Sequence, residues 1–110
     1  MSYDHTLLCR DVVSLLHQRP RLTATALAKQ LRVDRHTISR AIRTELELTF
    51  RELQARECLA SIRRHMTESP ELCLKEIAAR LRYASGASFA RRVRSLERCS
   101  PTDLRRKMRT

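Results

Sequence analysis

The sequence predicts an all-α fold, and three observations carry that expectation. Apolar residues recur every three to four positions along most of the 110 residues. The chain holds one Gly and three Pro, too few turn-forming residues for a β-rich fold. Side chains suited to capping helices (Thr23, Asp34, Thr49 and Ser100) stand ahead of the apolar stretches.

Seven helices are expected in order. The first runs from about Asp4 to Gln18, with Leu8, Val12 and Leu15/Leu16 on one face, and ends before Pro20, which biases Arg19 away from helical geometry. Thr23 caps a second helix, about Ala24 to Leu31, with Leu27, Ala28 and Leu31 inward. Arg32-Val33 forms a tight break. Asp34 caps a third helix, about Arg35 to Glu45, with Ile38, Ala41 and Ile42 inward. Thr49-Phe-Arg-Glu52 reads as a capping box that opens a long helix to about Met66, with Ala55, Leu59, Ile62 and Met66 on one stripe. After the break at Glu68-Ser-Pro-Glu71, a fifth helix runs from about Leu74 to Leu81 and a sixth from about Gly86 to Leu96, with Phe89, Val93 and Leu96 inward. Ser100-Pro-Thr-Asp103 caps the last, with Pro at its first position and an acid at its third.

Composition narrows the function. There are 23 Lys+Arg against 12 Asp+Glu, a formal charge of +11. Nucleic acid is the usual partner of such an excess, because neutralising phosphates releases condensed counterions; an acidic protein or membrane surface would also attract it. No apolar run approaches the ~18 residues of a membrane span, and the N-terminus lacks the pattern of a signal peptide, so a cytoplasmic, nucleoid-associated chain with no membrane role is expected. The initial Met and the full first helix favour a complete protein. Cys9, Cys58, Cys73 and Cys99 form no C-x-x-C pair and read as reduced thiols, and His5, His17, His36 and His65 lack the spacing of a zinc site. With no Gly-rich phosphate loop and no Ser/His/Asp arrangement, no enzyme, no cofactor and no metal are expected.

The chain repeats itself. Leu27-Ala-Lys-Gln-Leu-Arg-Val33 resembles Ile77-Ala-Ala-Arg-Leu-Arg-Tyr83 at an offset of 50, and Ile38-Ser-Arg-Ala-Ile-Arg43 resembles Phe89-Ala-Arg-Arg-Val-Arg94 at an offset of 51. Each copy is a short helix, a tight turn and a second helix. Ala28 and Ala78 are small where two helices cross closely, Leu31 and Leu81 close the first helix, and Val33 and Tyr83 plug the turn. With Ile38/Ile42 and Phe89/Val93 held inward, the opposite face of each second helix is free to enter a major groove.

These residues, with Thr49-Phe50, the Phe89-Ala-Arg91 stretch and Ser100-Pro101, resemble the DNA-binding domain of the AraC/XylS transcription regulators over roughly Leu22 to Arg109. The resemblance implies two helix-turn-helix subdomains, 1–48 and 68–110, joined by a linker helix at 49–67. It also implies recognition helices in two adjacent major groove segments of an asymmetric site in double-stranded DNA. Short members of that family bind as monomers and activate transcription through RNA polymerase. Arg32 and Arg82 stand where the family has a turn Gly, Ile42 and Val93 replace Phe, and Glu97 replaces an aromatic residue. A non-Gly residue in a left-handed turn costs about 1 kcal/mol.

Helical spacing alone turns His36, Ser39, Arg40 and Arg43 outward from the third helix, and the resemblance places the first three at base-reading positions. The matching positions on the sixth helix are Gly86, Ala87, Ser88, Ala90 and Arg91; these are mostly too small to reach far, so the second unit is expected to specify less and to contribute more through backbone and shape. Phosphate contacts are expected from Arg32, Arg35, Lys75, Arg82, Arg105, Arg106 and Lys107. An RNA-binding module and a protein-interaction module with weakened DNA specificity are the competing readings; few aromatic residues are available to stack on RNA bases.

Overall fold

The computed structural model describes residues 4–109. They form seven α-helices and no strand: α1 (His5–Gln18), α2 (Ala24–Leu31), α3 (Arg35–Leu46), α4 (Phe50–Glu68), α5 (Leu74–Arg80), α6 (Gly86–Glu97) and α7 (Pro101–Met108). No helix among them is long and apolar enough to cross a membrane.

The starts are fixed by local hydrogen bonds. The Asp4 carboxylate accepts from the backbone N–H of Thr6, Thr23 Oγ1 from that of Ala26, Asp34 from that of His36 at 2.7 Å, and Ser100 Oγ from that of Asp103. At α4 the expected capping box is present. The Thr49 N–H donates to Glu52 Oε1 at 2.9 Å, and the Glu52 N–H donates to Thr49 Oγ1 at 3.1 Å. The Glu52 carboxyl is held below the usual carboxylate range, first by the Thr49 backbone N–H, then by the Thr49 hydroxyl, with a smaller pull from Arg43.

The chain divides into two compact units, Met1–Cys58 and Leu59–Thr110. The first is built on Leu8, Val12, Leu16, Leu27, Ala28, Ile38, Ala41, Ile42 and Leu53. The second is built on Ile62, Met66, Leu72, Ile77, Ala78, Phe89, Val93 and Leu104. Val33 and Tyr83 pack against their respective cores, as plugs of the turns should. The division falls inside α4, where the sequence suggested a separate linker over 49–67. The expected stripe of Ala55, Leu59, Ile62 and Met66 is corrected, because α4 contributes to both cores. Leu53, Cys58, Ser61, Ile62 and Met66 are buried, while Ala55 and Leu59 are only half-buried. A single 3.6-residue stripe presupposes one core, and α4 supplies two.

The repeat is longer than the two segments visible in the sequence. At offsets of 50 and 51, Val12 corresponds to Ile62, Leu16 to Met66, Thr49 to Ser100 and Leu53 to Leu104, all buried or capping in the same sense. Each unit is therefore four helical segments, with the two parts of α4 serving as the last segment of one and the first of the other. The single-residue change of offset comes from Ala84. The turn plug and the N-cap are adjacent in the first copy (Val33, Asp34) and separated by Ala84 in the second (Tyr83, Ser85).

Candidate nucleic-acid interface

The turn in each unit is closed by the same hydrogen bonds. Val33 N–H donates to Ala28 O at 3.0 Å, and Tyr83 N–H donates to Ala78 O at 3.0 Å. A bond of this span at a helix end requires a left-handed residue just before it. Arg32 (φ 56) and Arg82 (φ 64) supply that conformation in place of Gly. Both arginines are exposed.

Helix α3 buries Ile38, Ala41 and Ile42 completely, which leaves Arg35, His36, Ser39, Arg40 and Arg43 exposed on the other side. All four residues expected to read bases from this helix share that face. His36 sits one residue after the helix begins, with its N–H held by Asp34. An arginine on such a face presents a planar fork that matches the O6/N7 edge of guanine.

Helix α6 buries Phe89 and Val93, and Tyr83 lies on the Phe89 ring at a centroid distance of 5.3 Å and an angle of 58°. Ala87 and Arg91 are exposed, as expected, and Ala90 is half-buried. Ser88 is bonded to Ser85. Its hydroxyl donates to Ser85 O at 3.0 Å and accepts from Ser85 N–H at 3.3 Å, while its own N–H donates to Ser85 Oγ at 3.1 Å. It is the return half of a capping box at the helix start. Arg94 is exposed on the same stripe as Arg91 and was passed over in the sequence. The signal for it was its offset of 51 from Arg43.

Arg105 is half-buried and engaged within its own unit. Its Nη2 donates to the backbone carbonyls of Pro70 and Leu72, and its Nε is buried without a partner among the described residues. The corresponding side chain in the first unit is Gln54, whose Nε2 donates to Leu22 O at 2.7 Å. Two different side chains thus do one job, tying the loop before α2 or α5 to the following helices. Arg105→Gln is expected to keep the thermal midpoint within a few degrees, whereas Arg105→Ala removes the tie and costs about 1–3 kcal/mol. Thermal unfolding of the two variants decides it, and a salt dependence of duplex binding unchanged in Arg105→Gln would place this residue off the phosphates.

The other expected phosphate contacts, Arg35, Lys75, Arg106 and Lys107, are exposed. Arg106 lies 3.7 Å from Asp103 in an exposed pair on α7, an interaction weak enough to be released to a phosphate. Glu97, which stands where the resembled family has an aromatic residue, is ion-paired to Arg63 of α4. No group of three His, Cys, Asp or Glu residues among those described could hold a metal ion. The four thiols are free, and the Cys9 thiol is pushed up by burial and by the charge of Glu45.

Two exposed helix faces, each opposite a buried one and each preceded by a tight left-handed turn, define a helix-turn-helix protein. A family model described as a helix-turn-helix domain, of the AraC type, matches residues 27–107, and the chain belongs to that family of DNA-binding transcription regulators. Among solved structures, the fold is similar to the C-terminal domain of AraT, a response regulator from Geobacillus stearothermophilus. The TM-score is 0.77 at 24% identity, over 91% of this chain and 84% of that one. No curated protein matches the chain.

Proposed function

We propose that this protein reads an asymmetric site in duplex DNA as a monomer, with α3 and α6 entering adjacent segments of the major groove, and that it activates transcription at the nucleoid by contacting RNA polymerase. The carrying observation is the face of α3. His36, Ser39, Arg40 and Arg43 project together from a helix whose other side is fully buried, so their positions are fixed before any ligand arrives. Ala87 and Arg91 act from α6. Ala87 is suited to a thymine methyl and Arg91 to a guanine edge.

Backbone contacts come from Arg32, Arg35, Lys75, Arg82, Arg106 and Lys107, all exposed. With about six phosphates neutralised, the logarithm of the duplex binding constant is expected to fall against the logarithm of salt concentration with a slope of about −5. Selection of duplexes from a random pool, followed by titration of the recovered site across salt, tests both halves of the reading. A common base pattern with a steep slope supports it. A flat slope, or RNA binding tighter than duplex, overturns it.

A further inference from the structure

Four described residues have positive φ, and they fall in two equivalent pairs. Arg32 and Arg82 close the turns, whereas Glu47 and Arg98 close α3 and α6. The second pair has nearly the same backbone, φ 58, ψ 30 at Glu47 and φ 57, ψ 30 at Arg98. Each N–H donates to the carbonyl four residues back, Arg43 O at 3.0 Å and Arg94 O at 2.8 Å. Both side chains are exposed, and they carry opposite charge.

Arg98 suits the charge of a helix C-terminus and Glu47 does not. The C-terminal end of a helix carries about half a negative charge, which favours an arginine and disfavours a carboxylate. Both residues occupy a left-handed position that Gly fills at lower cost, so that penalty is shared and the charge is what sets Glu47 apart. No hydrogen bond or ion pair to its carboxylate is present among the described residues to offset either penalty. It extends the stripe of His36, Arg40 and Arg43, eleven residues and about 16 Å beyond His36 along the helix axis. A recognition helix presents its N-terminal residues to the bases, so its C-terminal end is the one left to the backbone. The equivalent stripe on α6 is Ala87, Arg91, Arg94 and Arg98. The same contrast runs through the units. Residues 1–58 hold ten basic and seven acidic side chains, and 59–110 hold thirteen and five, formal charges of +3 and +8.

We propose that Glu47 is a discriminating charge. It repels the phosphate backbone at the end of α3, so the first unit docks only where His36, Ser39 and Arg40 meet the right bases, while Arg98 at the equivalent place draws the second unit to DNA of any sequence. A repulsion felt equally by every duplex would leave the ratio between them unchanged; Glu47 discriminates because the base contacts of His36, Ser39 and Arg40 hold α3 in one register on the matched duplex, whereas elsewhere the unit is held by the backbone alone and meets the repulsion in full. The proposal rests on the duplex-binding reading above.

Charge reversal in the full-length protein tests it, because each replacement is already tolerated in the same backbone conformation by the other unit. Glu47→Arg is expected to tighten binding to a mixed-sequence duplex about fivefold at low salt and to steepen the salt slope by about one. Its gain on the duplex recovered by selection is smaller, so the ratio between the two falls. Glu47→Gln gives part of the gain with no new cation, which separates lost repulsion from a new contact. Arg98→Glu weakens both duplexes alike. Unchanged binding of the mixed-sequence duplex by Glu47→Arg, or an equal gain on both duplexes, overturns the proposal while the duplex-binding reading stands. A parent protein that binds neither duplex overturns that reading as well.

Discussion

Replacing Phe89 with Ala is expected to destabilise the second unit by about 3–5 kcal/mol, a large share of the 5–15 kcal/mol typical of a folded domain. Phe89 is 2% exposed and is the largest of the fully buried side chains. Its core contains only seven other buried residues, one of them Ala78, so few neighbours can move in to fill the space. The Tyr83 ring would lose its partner, and tilted aromatic pairs contribute about 0.5–1.5 kcal/mol beyond the buried area. An open, largely apolar pocket of about 360 Å³, lined by Leu74, Lys75, Gly86, Phe89, Pro101 and Thr102, already reaches the ring from outside. Removing the ring is expected to extend that pocket inward toward the core. Denaturant unfolding followed by circular dichroism gives the loss, and hydrogen exchange should place the lost protection in residues 59–110. A loss below 1 kcal/mol would show that Phe89 is not the keystone of this core.

The helices were legible in the sequence because their determinants are local. Thr23, Asp34, Thr49 and Ser100 each cap the helix they precede, and a capping bond spans two or three residues. The outward face of α3 was legible for the same reason, since Ile38 and Ile42 fix its rotation. Arg105 was not, because its acceptors are backbone carbonyls 33 and 35 residues away and no spacing rule points to them. The capping role of Ser88 was not legible because a serine returning the bond at the third helical position makes a capping box without the usual Glu or Gln. The left-handed Arg32 and Arg82 follow from the repeat and the tight turn, but the matching conformation at Glu47 and Arg98 required the backbone.

Arg40→Ala is expected to lower affinity for the selected duplex by about 1–3 kcal/mol, roughly 5- to 150-fold, and to relax the preference at one base pair. The argument is geometric. Arg40 lies one turn after His36 on the exposed face of α3, and Ala41 and Ile42 beside it are fully buried, so the helix cannot roll to present another residue. Recognition helices in the groove place their N-terminal residues nearest the base edges, and Arg40 is the first arginine on this stripe with the reach for a bidentate pair. Arg35 precedes it at the helix start, off that stripe, where a phosphate contact is expected. The two substitutions therefore separate cleanly. Arg35→Ala should weaken every duplex by a similar factor and make the salt slope shallower by about one, whereas Arg40→Ala should penalise the selected duplex and barely change mixed-sequence binding. Arg40→Lys sharpens the test, because a lysine keeps the charge and loses the planar fork. It should retain mixed-sequence affinity and still lose the base preference. An Arg40→Ala variant that loses the same factor on every duplex would move this side chain to the phosphates and leave His36 and Ser39 to read the site.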